Sequence, residues 1–217
     1  MKIPSHIKAV IFDMDGLLID SEPYWAKADE VFLEGHSIPY TPQINLHIMG
    51  MGQREIIEYY KNEFGLTGDT QELITERKKL LYAFLLATVK LLDGVKEIVI
   101  SLHKKNILLA IATTGHTREK AREILGKVGL ESYFSVIVSG DDVEKGKPAP
   151  DIYLKAAEFL QIEPGRCLVF EDAPNGVKAG KAAGMIVFGI NKEDELYKNL
   201  EEAGADEIFR SLKELSV

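Results

Sequence analysis

Five short apolar runs punctuate the chain: Ala9 to Phe12 (AVIF), Leu108 to Thr113 (LLAIAT), Val136 to Ser139 (VIVS), Cys167 to Phe170 (CLVF) and Met185 to Ile190 (MIVFGI). Each is rich in branched residues, a pattern that predicts strands buried on both faces of a parallel sheet. Between them apolar positions recur at helical spacing: Val95, Ile98 and Leu102; Ala121, Ile124, Leu125 and Val128; Ile152, Ala156, Phe159 and Leu160. The alternation predicts βαβ units and a doubly wound α/β fold, with helices on both faces of the sheet.

The stretch from Pro23 to Val89 breaks this rhythm. Its positions keep the helical period (Trp25, Ala28, Val31, Phe32; Ile56, Ile57, Tyr60, Phe64; Leu73, Ile74, Arg77, Leu80, Leu81, Phe84) and no buried-strand run interrupts them. It reads as an all-helical insertion after the first strand. The expected organisation is a Rossmann-like core of residues 1–20 and 89–217 with a helical cap subdomain of residues 21–88. An insertion at that point would cover the carboxyl ends of the strands, where such sheets bind ligands.

A chain of 217 residues can bury a proper core. With 46% hydrophobic and 28% charged residues it matches an ordinary globular protein. Lys and Arg number 26 against 34 Asp and Glu, a formal charge of −8 that repels a long phosphate backbone. A nucleic acid polymer is therefore not expected as a partner, whereas a small phosphorylated metabolite needs only one well-placed cation. Cys167 is the only cysteine and lies in an apolar run, which suits a reducing compartment and a structural role. The first residues lack a signal peptide's apolar region, and no window reaches the ~18 apolar residues of a membrane span. A cytoplasmic monomer with no membrane partner is expected.

Four clusters fall at or just after the ends of predicted strands. Asp13-Met14-Asp15-Gly16 follows the first strand and sends two carboxylates to the same side. A plain turn is the alternative, and a calcium loop is excluded because Gly stands fourth and Tyr24 occupies the twelfth position. Thr113-Thr114-Gly115 offers a hydroxyl and successive N–H groups to an anion, or a cap for a helix starting near Arg118. Lys147 sits in Gly146-Lys147-Pro148-Ala149-Pro150-Asp151, where two prolines stiffen the loop and Asp151 suits a helix start. Glu171-Asp172 closes the CLVF run and, with Asp13 and Asp15, supplies oxygens for a hard cation, best Mg²⁺. Asn175-Gly176 reads as a turn. Together the clusters provide a nucleophile, a proton-transfer group, anion donors, an ammonium and a metal site, the set that phosphoryl transfer requires.

In this order, DMDGLLIDSE, IATTG, GKPAPD and VFEDAPNG resemble the four motifs of the haloacid dehalogenase superfamily, in its phosphatase branch with a helical cap. The resemblance spans nearly the whole chain. It lies closest to the group holding β-phosphoglucomutase, 2-deoxyglucose-6-phosphatase and pseudouridine-5′-phosphatase, the last through FEDAPNGVKAGKAAGM. It implies a Mg²⁺-dependent phosphomonoesterase acting on a sugar phosphate or nucleoside monophosphate-like ester. Asp13 would be the nucleophile and Asp15 the acid and base. Thr113, Thr114 and Gly115 would bind the phosphoryl oxygens, with Lys147 balancing charge. Asp13, the carbonyl of Asp15 and Asp172 would hold the metal, with Glu171 binding directly or through water. Phosphosugar mutase chemistry is the nearest alternative, and a catalytically weak binding or regulatory protein is another. Trp25 stands where the mutase has a histidine, and an indole can only donate a hydrogen bond. In the loop Gly50-Met51-Gly52-Gln53-Arg54, Arg54 suits either a substrate contact or a plain helix surface.

Overall fold

A computed structural model describes residues 3–48 and 51–215. In chain order the elements are β1 (Ala9–Phe12), α1 (Glu22–Gly35), α2 (Pro42–Ile48), α3 (Gln53–Phe64), α4 (Thr70–Thr88), α5 (Val95–Lys104), β2 (Leu108–Thr113), α6 (Arg118–Lys127) and β3 (Val136–Ser139). They continue with α7 (Asp151–Leu160), β4 (Cys167–Glu171), α8 (Pro174–Ala182), β5 (Ile186–Ile190), α9 (Asp194–Glu202) and β6 (Glu207–Phe209). The chain divides into two compact units. One runs to Asp20 and resumes at Lys90, and the other is Ser21–Val89. No helix among the described residues is long and apolar enough to cross a membrane.

The first unit is a six-stranded parallel sheet in the order β3-β2-β1-β4-β5-β6. From β1 the chain steps outward to β2 and β3, then returns to the other side of β1 for β4, β5 and β6. The direction of winding thus reverses between β1 and β4, which opens a crevice at their carboxyl ends. The register brings those ends level, since Phe12 pairs with Ile111 on one side and Phe170 on the other. Ala9, Ile11, Ala110, Ala112 and Val169 pack with α7 and α8 residues in one core cluster that includes Cys167. Burial pushes the Cys167 thiol up to about 11, in keeping with an inert structural role. On the other side of β1, the Phe12 ring meets Phe134 edge-on at 5.7 Å and lies 5.1 Å from the Phe170 ring.

Two expectations need correction. In α7 the buried face is Ile152, Tyr153, Ala156, Ala157 and Leu160. Phe159 is exposed, its ring covered by the Lys155 ammonium at 4.7 Å. Positions 153 and 159 both fit a helical period, and only the partners across the sheet decide between them. Asn175-Gly176 is not a turn but lies in the first turn of α8.

The second unit contains α1 to α4 and no strand among its described residues. Phe32, Leu33, Ile56, Ile57, Tyr60, Leu73 and Ile74 form its apolar core. A buried ion pair sits within it. The Asp29 carboxylate accepts from Arg77 Nε at 2.5 Å and Nη2 at 2.7 Å and from the Tyr60 hydroxyl at 3.0 Å. The remaining Arg77 Nη1 donates to Gln53 Oε1 at 2.7 Å, and the guanidinium lies 4.6 Å from the Trp25 ring centroid. In this bidentate, stacked arrangement every guanidinium nitrogen has an acceptor, which is what allows the charge to be buried. Arg54 is exposed in the first turn of α3, and Gly50 lies outside the described residues.

Candidate active site

The carboxyl end of β1 delivers Asp13 into the crevice, where its N–H donates to the Phe170 carbonyl at 3.0 Å and so ties β1 to β4. Lys147 arrives from the loop before α7, with a cis peptide to Pro148. Its Nζ donates to Asp13 Oδ1 and Glu171 Oε1, both at 2.5 Å, and to the Ala112 carbonyl at 3.3 Å. Asp13, Glu171 and Asp172 each place one carboxylate oxygen within 4.8 Å of the others. The residues expected from the first, third and fourth motifs are thus brought together.

Glu171 is held at both oxygens. Oε1 accepts from Lys147 and from the Tyr153 hydroxyl at 2.6 Å, and Oε2 accepts from the backbone N–H groups of Asp172 and Ala173 at 3.0 and 3.1 Å. Two glycines make this packing possible. A Cβ on Gly176 would overlap the Glu171 carboxylate, and one on Gly16, whose φ is +72°, would overlap that of Asp172. Gly176→Ala should therefore lower stability by about 2 kcal/mol, the usual scale for an overpacked buried site. Gly165→Ala, where nothing lies within 4 Å of the new methyl, is the matched control. Thermal melts of the two variants check this, and equal melting points would contradict it.

Charge is crowded here. Burial, only partly offset by the Lys147 ammonium, pushes the Asp13 carboxyl up to about 7, and the neighbouring Glu171 and Asp15 charges add to the rise. Burial also lifts Asp172 well above the usual carboxylate range, reinforced by Glu171 and Asp13. For Lys147 burial favours the neutral amine, but the two carboxylates outweigh it and hold the ammonium firmly charged.

The second motif closes β2. Thr113 is fully buried, and the N–H of Gly115 donates to its Oγ1 at 3.3 Å, while Thr114 is exposed on the loop. Neither threonine caps α6: Thr117 does so, accepting from the Lys120 N–H at 3.3 Å. Asp15 stands apart from the three-carboxylate cluster. Its Oδ1 lies 3.0 Å from Nε2 of His116.

Sequence reasoning did not pick out His116, Tyr153 or Asn191, whose side-chain amide donates to the Asp172 carbonyl at 3.3 Å. His116 adjoins the second motif, and that adjacency was the one signal available for it. Tyr153 sits among apolar positions of a helix, and its bond to Glu171 spans 18 residues, so nothing local marks it.

Residues 10–190 match the family model described as haloacid dehalogenase-like hydrolase. The chain belongs to that family. Over 219 aligned residues it is 38% identical to a phosphorylated carbohydrates phosphatase of Thermotoga maritima, covering 96% of this chain and all of that one. It is also 30% identical to the beta-phosphoglucomutase of Bacillus subtilis, over 97% of this chain and 92% of the other. Among solved structures, a family IA, variant 3 hydrolase of Entamoeba histolytica superposes with a TM-score of 0.86 at 29% identity, covering 97% of this chain and 96% of that one. Within the family, the chain is a phosphomonoesterase.

Proposed function

We propose that this enzyme hydrolyses small phosphorylated metabolites, with a sugar, polyol or nucleoside as leaving group, through a phosphoaspartate on Asp13. The observation that carries the reading is the convergence of Asp13, Lys147, Glu171 and Asp172 at one sheet edge, beside the Thr113 loop. The similarity to a phosphatase of phosphorylated carbohydrates supports this substrate class.

In the first step an Asp13 oxygen attacks phosphorus while Asp15 protonates the departing alkoxide. Lys147 neutralises the oxygens of Asp13 and of the transferring group, and Thr113 with the N–H groups of Thr114 and Gly115 receives the others. In the second step Asp15 takes a proton from the attacking water, and the Asp13 carboxylate is regenerated. The donor set suits a hard divalent cation, because it offers only carboxylate oxygens and carries excess negative charge. Asp13, Asp172 and the carbonyl of Asp15 would hold Mg²⁺. Glu171, with both oxygens engaged by four donors, would act from behind them through water. When bound, the ion supplies further neutralisation of the phosphoryl oxygens. The core of 1–20 and 89–217 would perform this chemistry, and the helical cap of 21–88 would select the leaving group.

With Mg²⁺ the enzyme should release inorganic phosphate from p-nitrophenyl phosphate, and EDTA should abolish the release until Mg²⁺ is restored. A screen of phosphorylated metabolites then identifies the leaving group. Release that is indifferent to EDTA would remove the metal from the reading. Conversion of β-glucose 1-phosphate to glucose 6-phosphate without free phosphate would replace hydrolysis by a mutase reaction. Trp25, stacked on Arg77, supports hydrolysis, since it offers no imidazole at that position.

A further inference from the structure

Asp15 is fixed by the residues that follow the second motif. Its Oδ1 lies 3.0 Å from His116 Nε2, and the His116 side chain is completely buried. The carboxylate is acceptor-only when ionised, so the imidazole nitrogen facing it is the N–H donor. The other oxygen, Oδ2, lies over Gly115, where a Cβ would come to 2.6 Å, closer than real side chains allow. Asp15 is therefore attached to the loop that carries Thr113, Thr114 and Gly115. A histidine buried this deeply beside the chemistry needs a polar partner, and it has taken this carboxylate across 101 residues of chain.

Resting on Asp15 as the acid and base, we infer that His116 is a positioning residue: its Nε2–H anchors Oδ1, so that Oδ2 is the oxygen that gives and takes the proton. In the first half-reaction the Asp13 oxygen bonds to phosphorus, the ester P–O bond breaks, and the proton on Oδ2 passes to the departing oxygen. In the second, water oxygen bonds to phosphorus, its proton moves to Oδ2, and the acyl phosphate bond to Asp13 breaks. Neither half requires another reactant. Gly115 belongs to the same device, because a side chain there would expel Oδ2 from its place.

The test compares two esters of similar shape. p-Nitrophenolate leaves as a weak base and needs little protonation, whereas phenolate needs an acid. Without the anchor, Asp15 still occupies the site but is misplaced, and misplacement on the ångström scale lowers rates by up to about 100-fold. For His116→Ala, kcat/KM should fall about 30-fold on phenyl phosphate and about 3-fold on p-nitrophenyl phosphate. His116→Gln, which returns an amide N–H near the Nε2 position, should recover most of the phenyl phosphate activity. It also keeps the test open if the alanine variant fails to fold. A purely structural role for His116 predicts equal losses on both esters, and that result, or no loss on either, overturns the inference. Asp15→Asn in the same assays isolates the underlying reading: phenyl phosphate turnover that survives it unseats Asp15 itself, whereas equal losses in His116→Ala leave Asp15 in place.

Discussion

Asp13→Asn should abolish phosphate release while leaving the fold intact, and without divalent cation it should melt higher than the parent at pH 8. The loss of turnover should be on the order of 10⁵-fold, the scale seen when a covalent nucleophile is removed. The stability gain follows from the crowding of charge. Burial raises the Asp13 carboxyl from 3.8 to about 7, so the folded chain holds that proton more tightly than the unfolded chain does. The stability that the group contributes is then complete below pH ~4, falls as pH rises toward 7, and stays lost above it. An amide has no charge to bury and escapes that loss. Melting curves in EDTA at pH 5 and pH 8, beside phosphate assays, check both parts. Turnover within tenfold of the parent would end Asp13's candidacy, and a variant less stable than the parent at pH 8 would contradict the electrostatic account.

Lys147→Met should have the opposite effect on the fold. Its Nζ bonds both Asp13 and Glu171 at 2.5 Å, and the side chain is only 9% exposed. Methionine fills the same length but leaves two buried carboxylates without their counter-charge. Breaking a buried pair from one side costs about 3–5 kcal/mol, or roughly 10 °C in melting temperature for a chain of this size. The loss should shrink at pH 5, below the value of about 7 to which Asp13 is lifted, where that carboxyl is protonated and the missing ammonium matters less. Turnover should fall about 10²–10³-fold with the loss of one charge-stabilising donor. A melting point at pH 8 indistinguishable from the parent's would show that Lys147 is not the keystone of the cluster.

The five strands legible in the sequence are those buried on both faces, because only such strands become unbroken apolar runs. The sixth, Glu207–Phe209, is three residues long at the sheet edge and too short to leave a pattern. The site was legible for a related reason. Parallel topology brings every strand end to one edge, so motifs scattered from 13 to 172 could be placed together before any distance was known. What stayed hidden were pairings over long sequence separations. Arg77 occupies an inward helical position, but nothing near it announces Asp29, 48 residues earlier. His116 could be seen beside the Thr113 loop, yet its partner could not. Tyr153 and Phe159 were interchangeable by period, and only the buried Glu171 gives Tyr153 its polar task.

The polypeptide departs from the sheet for its helical excursion and comes back at nearly the same spot. Ile19 and Leu91 form an antiparallel bridge, and the Leu92 N–H donates to the Leu18 carbonyl at 2.9 Å. These residues clasp the two ends together within the sheet-bearing unit, so its strand register does not depend on how long the intervening excursion is. Lineages are thus at liberty to lengthen, shorten or replace that stretch without disturbing the sheet it interrupts.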